Sequence, residues 1–170
     1  MNRHFTATGL AFDGEKVLVV KHATLGWWLP PGGHLEENED PAQAVLREVE
    51  QETGLACEIV SDEHFRYAGE GIASIARPFA ILQEDLPDDD GTVHQHIDHI
   101  YLLRPISDPA ILSPQLDEVT AARWVPVGKI GGLSTPASLP PMIDAAYRYV
   151  AQPSSSAPGA RAGNEEAVGR

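Results

Sequence analysis

Polar and apolar residues alternate along several short segments of the chain, a pattern typical of β-strands with one buried face. Two of these segments, residues 5–12 and 16–21, flank Asp13-Gly14, a dipeptide that favours a tight hairpin turn. Further strands are predicted at residues 57–60, 77–83 and 93–103, with the acidic segment 84–91 as the hairpin loop between the last two. The chain therefore supplies enough strands for a central sheet.

A helix is predicted between two strong boundary signals. Asp40 is a favourable N-cap, and Pro41 lies in the first turn, where its missing N–H costs nothing. Gly54 can adopt the left-handed conformation that ends a helix. Between these signals one apolar stripe is expected to face the core, formed by Val45, Leu46 and Val49.

A second helix is predicted at residues 140–150, where apolar residues recur at helical spacing. The segment at residues 152–170 is rich in Ser, Ala, Gly and Pro, contains almost nothing to bury, and is predicted to be a flexible tail. The sequence indicates no internal repeat and no second domain. We therefore predict a single domain at residues 1–151.

The second half of the first predicted helix carries an acidic face. Glu48 and Glu52 are one turn apart, and Gln51 projects beside them. Like charges at this spacing repel, and the negative end of the helix dipole adds to their cost, whereas a bound divalent cation would reverse both effects. A solvated acidic face is the more frequent explanation for such a helix taken alone, so a metal site depends on the surrounding residues.

The residues around this face resemble the signature of the Nudix hydrolases, G-x5-E-x7-R-E-U-x-E-E-x-G-U, in which U is a bulky aliphatic residue. The chain matches this signature at Gly33, Glu39, Arg47, Glu48, Glu52 and Gly54, with apolar Val49 and Leu55. It departs at Gln51, which replaces the first glutamate of the Glu-Glu pair. An amide oxygen can still ligate a hard cation but brings no charge, so one metal ion is expected to bind more weakly or through water.

The resemblance implies an α/β fold, namely an α/β/α sandwich with a mixed central β-sheet and the signature helix on one face. It also implies a divalent cofactor, Mg²⁺ or Mn²⁺. The expected metal ligands are Glu48, Glu52, Gln51, Glu118 and the carbonyl of Gly32. Glu118 belongs to this set because it lies six residues before a tryptophan, and in relatives a carboxylate from this region serves as a metal ligand or general base.

Four residues are implied as catalytic by the same resemblance, namely Glu52, Glu48, Glu118 and Arg47. Any of the three glutamates could accept the proton of an attacking water molecule, and the sequence does not choose between them. Arg47 is expected to pair with Glu39 and to point away from the Glu52 side of the helix. In that position it would support the metal ligands without touching phosphate.

A second chemical cluster occupies the strand predicted at residues 93–103. With regular alternation, His94, His96 and Asp98 share one face, a geometry that could bind zinc or another transition metal. Three ligands seldom come from one strand, so contact of the two histidines with substrate phosphate or base is favoured. Trp28 lies in an aromatic-Leu-Pro segment similar to one in the family and is a candidate for stacking on a base, with core packing as the alternative.

Composition and charge narrow the choice of partners. The 170 residues are 42% hydrophobic, and the formal net charge of -13 argues against a nucleic-acid backbone or an anionic membrane as partner. The same charge makes a polyphosphate substrate hard to bind without metal ions. The sequence contains no apolar run of membrane-spanning length and no visible export signal, and its single Cys57 cannot form an internal disulfide, so a cytoplasmic location is predicted.

The resemblance implies hydrolysis of a phosphoanhydride bond in a nucleoside diphosphate linked to another moiety. The partner would be a nucleotide-type small molecule, and the frequent dimers among relatives make a homodimer an expectation. Two alternatives stay open. One is a nucleotide-binding or regulatory module with weakened turnover, which Gln51 makes conceivable. The other is a zinc hydrolase that uses His94, His96 and Asp98.

Overall fold

The computed structural model describes residues 2–60, 66–87, 91–115 and 118–151. Within these ranges the chain forms a mixed α/β domain, and the predicted flexible tail at residues 152–170 lies outside them. The elements in chain order are β1 (Arg3–Asp13), β2 (Lys16–His22), β3 (Trp28–Leu29), β4 (Gly32–His34), α1 (Pro41–Thr53), β5 (Cys57–Ile59), β6 (Ala68–Gly69), β7 (Ile72–Ala73), β8 (Ala80–Pro87), β9 (Val93–Pro105), β10 (Val119–Pro126), a 3₁₀-helix (Val127–Gly132) and α2 (Leu139–Ala151).

The central sheet is organised around two long strands, β1 and β9, which run parallel to each other. Each changes its outer partner along its length, because β1 pairs with β4 and then with β2, whereas β9 pairs with β8 and then with β5. The strand order is β10-β2-β1-β9-β5, with β3 beside β2. The other pairs between described strands are antiparallel, so the predicted mixed sheet is confirmed.

Side chains on the two faces of the sheet form two separate cores. On one face, Ala7 of β1 packs with Val45 and Val49 of α1. On the other face, Leu10 of β1 packs with Ile143 of α2. Odd-numbered residues of β1 therefore face α1 and even-numbered residues face α2, as the pleat of a strand requires. The predicted α/β/α sandwich is present.

The ends of α1 lie where the sequence predicts. The Asp40 side chain accepts hydrogen bonds from the N–H groups of Ala42 and Gln43, and the Gln43 side chain accepts one from the Asp40 N–H, which completes a capping box. Gly54 has a φ of 71° and ends the helix by donating to the Glu50 carbonyl. These fixed ends determine which residues of α1 face β4.

One predicted strand is displaced along the chain. β8 begins later and ends later than the strand predicted at residues 77–83. The predicted acidic loop is wrong over residues 84–87, which pair with β9, whereas residues 88–90 lie outside the described ranges. Acidic side chains suggested a solvated turn, but the hairpin extends further, and Asp85 accepts a hydrogen bond from the Gln95 side chain at 2.8 Å.

The remaining differences concern short or irregular strands, since β3, β4, β6, β7 and β10 are not predicted from the sequence. α2 agrees with the helix predicted at residues 140–150 to within one residue at each end. β10 was not predicted as a strand, because a bulge between Val119 and Ala121 interrupts the alternation that marks one. In the part of the chain that the structure describes, no helix is long and apolar enough to cross a membrane.

Candidate active site

Two carboxylates of α1 point towards β4 and are buried. Glu48 and Glu52 are 8% and 7% exposed, values that are rare for glutamate unless the side chain has a specific partner. The N–H of Gly32 donates a hydrogen bond to Glu52 Oε2 at 2.9 Å. The short glycine strand therefore covers both carboxylates and fixes one of them directly.

Gly33 makes this close approach possible. A Cβ atom at Gly33 would lie 2.5 Å from Glu48 Oε1, a distance that non-bonded atoms do not reach. Its backbone does not have a positive φ, so the requirement for glycine comes from the space that the Glu48 carboxylate occupies. The lack of space beside Glu48 is therefore a physical reason for a glycine at this position of the signature.

Arg47 holds the acidic residues of the site in position. Its Nε and Nη2 atoms donate to the two carboxylate oxygens of Glu39, each at 2.8 Å, which is the bidentate geometry that arginine favours. Nη1 donates to Glu48 Oε1 at 2.8 Å, and Nη2 donates to the His34 carbonyl at 3.1 Å. The hydrogen bonds from Arg47, together with one from the Glu36 N–H, hold the pKa of Glu39 below its ordinary value.

The predicted pair of Arg47 with Glu39 is confirmed, but the predicted direction of Arg47 is only partly right. The guanidinium reaches Glu48 and also donates to Gln51 Oε1 at 3.0 Å, so it lies beside the acidic face rather than away from it. Gln51 is exposed, and its amide oxygen is bound to Arg47. The structure therefore gives Gln51 a link to Arg47, and its role as a metal ligand stays a prediction.

Glu52 has the most perturbed carboxylate of this group. Burial raises the pKa of Glu52 to about 7, the hydrogen bond from Gly32 opposes this rise, and the negative charges of Glu48 and Glu118 add to it. Glu118 is exposed and immediately precedes β10, but its charge is close enough to affect Glu52. The charges of Glu48 and Glu118 therefore both act on Glu52, although Glu118 lies 70 positions after Glu48 in the sequence.

The donor set fits a hard divalent cation. Arg47 neutralises Glu39 and Glu48 in part, whereas no lysine or arginine of the described ranges pairs with Glu52. Carboxylate oxygens that are buried, mutually repulsive and short of positive charge are the ligands that Mg²⁺ and Mn²⁺ prefer. Glu48 and Glu52 could hold such an ion, with Glu118 approaching from the start of β10.

Trp28 lies in a packed position. The Arg123 guanidinium carbon lies 4.0 Å from the centre of its ring, a cation–π geometry, and the half-buried ring packs against the core on the α2 side. Its carbonyl accepts a hydrogen bond from Thr135 at 2.7 Å. These contacts correspond to the packing alternative, and base stacking by Trp28 stays a prediction.

The alternative zinc set of His94, His96 and Asp98 does not form a ligand group in the part of the chain that the structure describes. Asp98 is buried, and its two oxygens accept hydrogen bonds from the hydroxyls of Thr6 at 3.0 Å and Thr8 at 2.8 Å. The histidine of β9 that joins a possible ligand group is His96, and its companions are His4 and His34. No local sequence signal links these three, because the parallel pairing of β1 with β9 brings them together.

Comparisons with known proteins agree with the predicted family and fold. A family model described as the NUDIX domain matches residues 2–146. A hydrolase of the NUDIX family from Clostridium perfringens has a similar solved structure, with a TM-score of 0.71 and 24% identity over 88% of this chain and 99% of that chain. At this level of identity the structural likeness establishes the fold.

Curated relatives match over shorter stretches. The uncharacterised Nudix hydrolase YvcI of Bacillus subtilis is 42% identical over 41 residues, which is 24% of this chain and 26% of the relative. An RNA pyrophosphohydrolase of Brucella ovis is 41% identical over 51 residues, or 28% of each chain. The match thus spans little more than a quarter of the length of either relative.

Proposed function

We propose that this chain, which belongs to the Nudix hydrolase family, hydrolyses a phosphoanhydride bond in a nucleoside diphosphate linked to another moiety with the help of a divalent metal ion. The observation that supports this proposal most directly is the pair of buried carboxylates, Glu48 and Glu52, beneath the glycine strand β4. Such a pair is costly in a metal-free protein, so its retention favours a functional role.

Mg²⁺ or Mn²⁺ is the proposed cofactor. Glu48 and Glu52 would hold the ion, and the Gly32 carbonyl and Glu118 are the proposed further ligands. When bound, such an ion neutralises phosphate charge and lowers the pKa of an attacking water molecule. The net charge of -13 makes this neutralisation necessary for a polyphosphate substrate.

Among the three glutamates, we favour Glu52 as the group that accepts the proton from water. Gly32 orients it through Oε2, and no lysine or arginine of the described ranges pairs with it. Arg47 is a positioning residue, because its hydrogen bonds go to Glu39, Glu48, Gln51 and the β4 backbone.

The proposed substrate is a small nucleotide derivative. One relative bears the name RNA pyrophosphohydrolase, so an RNA that carries a phosphoanhydride belongs among the candidates. The strongly negative charge of this chain favours a small nucleotide over RNA, because a longer polyanion is repelled over a larger surface.

Recognition without turnover is the second candidate function. It is favoured by Gln51, which removes one negative charge from the signature and is bound to Arg47 instead of standing free beside the other carboxylates. A site of this kind would bind a nucleotide with the metal ion but would cleave it slowly or not at all.

A substrate screen tests the proposal and separates the two candidates. The full chain is incubated with Mg²⁺, with Mn²⁺ or with a chelator, and with nucleoside triphosphates, ADP-ribose, dinucleoside polyphosphates, nucleotide sugars and a phosphoanhydride-bearing RNA. We expect selective, metal-dependent cleavage of one small-nucleotide class. Metal-dependent binding of these compounds without cleavage would favour the recognition function. If the chain neither binds nor cleaves any of them, both candidate functions are contradicted.

A further inference from the structure

Three histidines from three neighbouring strands converge at the start of β1. His4 lies on β1, His96 lies opposite it on β9, and His34 ends β4, where it is in register with Thr6 of β1. One ligand nitrogen from each histidine can be chosen so that the three lie within 4.8 Å of one another. His4 Nδ1 and His34 Nε2 are only 3.2 Å apart.

This cluster is separate from the carboxylate site. The alternation along β1 directs even-numbered residues, including Leu10, towards the α2 side of the sheet, and His4 belongs to this series. Glu48 and Glu52 belong to α1, which packs on the opposite side. The histidines and the carboxylates therefore lie on opposite faces of the sheet, and the short strand β4 contributes to both.

His96 gives an independent indication that a ligand belongs here. Its Nε2 atom is buried and has no hydrogen-bond partner in the part of the chain that the structure describes. Buried polar atoms usually have a partner, so an unpaired ring nitrogen that faces two other imidazoles calls for an explanation.

We propose that His4, His34 and His96 bind one divalent transition-metal ion, with Zn²⁺ as the best fit. Three imidazole nitrogens at ~2.1 Å from a tetrahedral zinc ion lie ~3.4 Å apart, so nitrogens that now lie within 4.8 Å of one another must approach by at most ~1.4 Å on binding. Imidazole ligands select zinc and related transition metals, whereas the carboxylates on the other face suit Mg²⁺ or Mn²⁺. The two sites thus differ in the metal that each prefers.

The cluster is accessible and leaves room for a further ligand. His34 is exposed, and a surface depression lined by His4, Phe5, His34 and Glu36 lies beside it. The ring of His94 lies 5.0 Å from that of His96, centre to centre, on the margin of the cluster. Zinc often binds to three protein ligands and keeps its fourth position open to water or to a neighbouring side chain.

Metal titration of the full chain, without a polyhistidine tag, tests this proposal. After metal removal, Zn²⁺ binding is measured by calorimetry, and Co²⁺ is used as a spectroscopic probe, because its visible absorption reports nitrogen ligands in a tetrahedral field. We expect one tight site per chain. The His34→Ala and His96→Ala variants should lose at least ~10-fold in Zn²⁺ affinity.

Two variants serve as controls. His22→Ala removes a histidine outside the cluster, whose ring accepts hydrogen bonds from the Thr24 and Leu25 N–H groups, and Glu52→Gln alters the carboxylate site. Both should retain tight Zn²⁺ binding. Loss of the tight site in Glu52→Gln, its retention in His34→Ala, or the absence of any tight site would each overturn the proposal. Exposed His34 is the decisive position, because its replacement is compatible with folding even if that of His96 is not.

Discussion

At the scale of single residues, Glu52 and Arg47 experience opposite environments although they lie on the same helix. Arg47 is surrounded by acceptors and binds both oxygens of Glu39. Glu52 has a single hydrogen bond from Gly32 within the described ranges, together with two negative neighbours. The helix therefore combines a satisfied ion pair with a carboxylate that lacks a cation, and the two should respond differently to substitution.

Glu52 should make the metal-free protein less stable as pH rises. Its pKa is about 7 in the folded state against 4.5 as the ordinary value, so the folded state keeps a proton that the unfolded chain loses between these values. The contribution of Glu52 to the unfolding free energy is therefore fully present below pH 4.5 and is lost as pH rises through about 7. The loss amounts to no more than roughly 3 kcal/mol.

Denaturant unfolding in the presence of a chelator measures this effect. The unfolding free energy of Glu52→Gln relative to the parent should increase as pH rises through the same window. Glu50→Gln removes the same charge from an exposed position of α1 and should show no such trend. Parallel pH profiles for the parent and both variants would contradict the assigned environment of Glu52.

Arg47→Lys should destabilise the protein although it preserves the charge. Lysine cannot bind both oxygens of Glu39 and reach Glu48 at the same time, so about 1–2 kcal/mol of unfolding free energy should be lost. Arg104→Lys is the matched control, because the Arg104–Glu58 pair is exposed and its loss should stay within about 0.5 kcal/mol. Equal losses in the two variants, measured by denaturant unfolding, would count against a supporting role for Arg47.

At the scale of elements, the site depends on the contact between β4 and α1. α1 supplies the carboxylates, and the glycines of β4 allow its backbone to approach them. The His34 carbonyl of the same strand accepts from Arg47, so β4 is fixed at more than one point. A change in β4 should therefore alter the carboxylate geometry before it alters the fold.

Gly33→Ala tests this contact. The added methyl group would lie 2.5 Å from Glu48 Oε1, so the buried carboxylate must move, although its hydrogen bond from Arg47 resists the displacement. Turnover should fall roughly 100-fold, with little change in stability. Gly128→Ala is the control, since a Cβ atom there has no neighbour within 4 Å, and it should retain parent turnover. Near-normal turnover of Gly33→Ala would show that turnover does not depend on the position of the Glu48 carboxylate.

The same elements show what local sequence can predict. α1 was predicted correctly because its N-cap, first-turn proline and terminal glycine are local signals within one segment. The spacing of the two carboxylates is equally local, so the sequence predicts that Glu48 and Glu52 lie on one face of α1. β10 and the extension of β8 were missed, because a bulge and acidic side chains mask their strand character.

Long-range pairing explains the remaining miss. His4 and His96 are adjacent only because β1 and β9 are parallel neighbours, a pairing that joins residues 92 positions apart. Alternation in the sequence shows which residues share a face of one strand, but not which strand lies beside it. His94, His96 and Asp98 were grouped correctly on one face, whereas the histidines across the sheet could not be found in this way.

At the scale of the whole molecule, the sheet separates the two proposed metal sites. The α1 side carries the proposed oxygen ligands and the α2 side carries the histidine cluster, with a net charge of -13 over the chain. This net negative charge disfavours a polyphosphate substrate unless a cation is held at the site. The account therefore depends most on the claim that the α1 carboxylates support metal-dependent hydrolysis.

The most direct test of that claim compares the turnover of Glu52→Gln with that of Glu50→Gln on the best substrate of the screen, at saturating Mg²⁺. Both variants remove one negative charge from α1, but only Glu52 is buried beneath β4. We expect Glu50→Gln to match the parent and Glu52→Gln to lose at least ~100-fold in kcat while remaining folded. Near-parent turnover in a folded Glu52→Gln variant would contradict the proposed site.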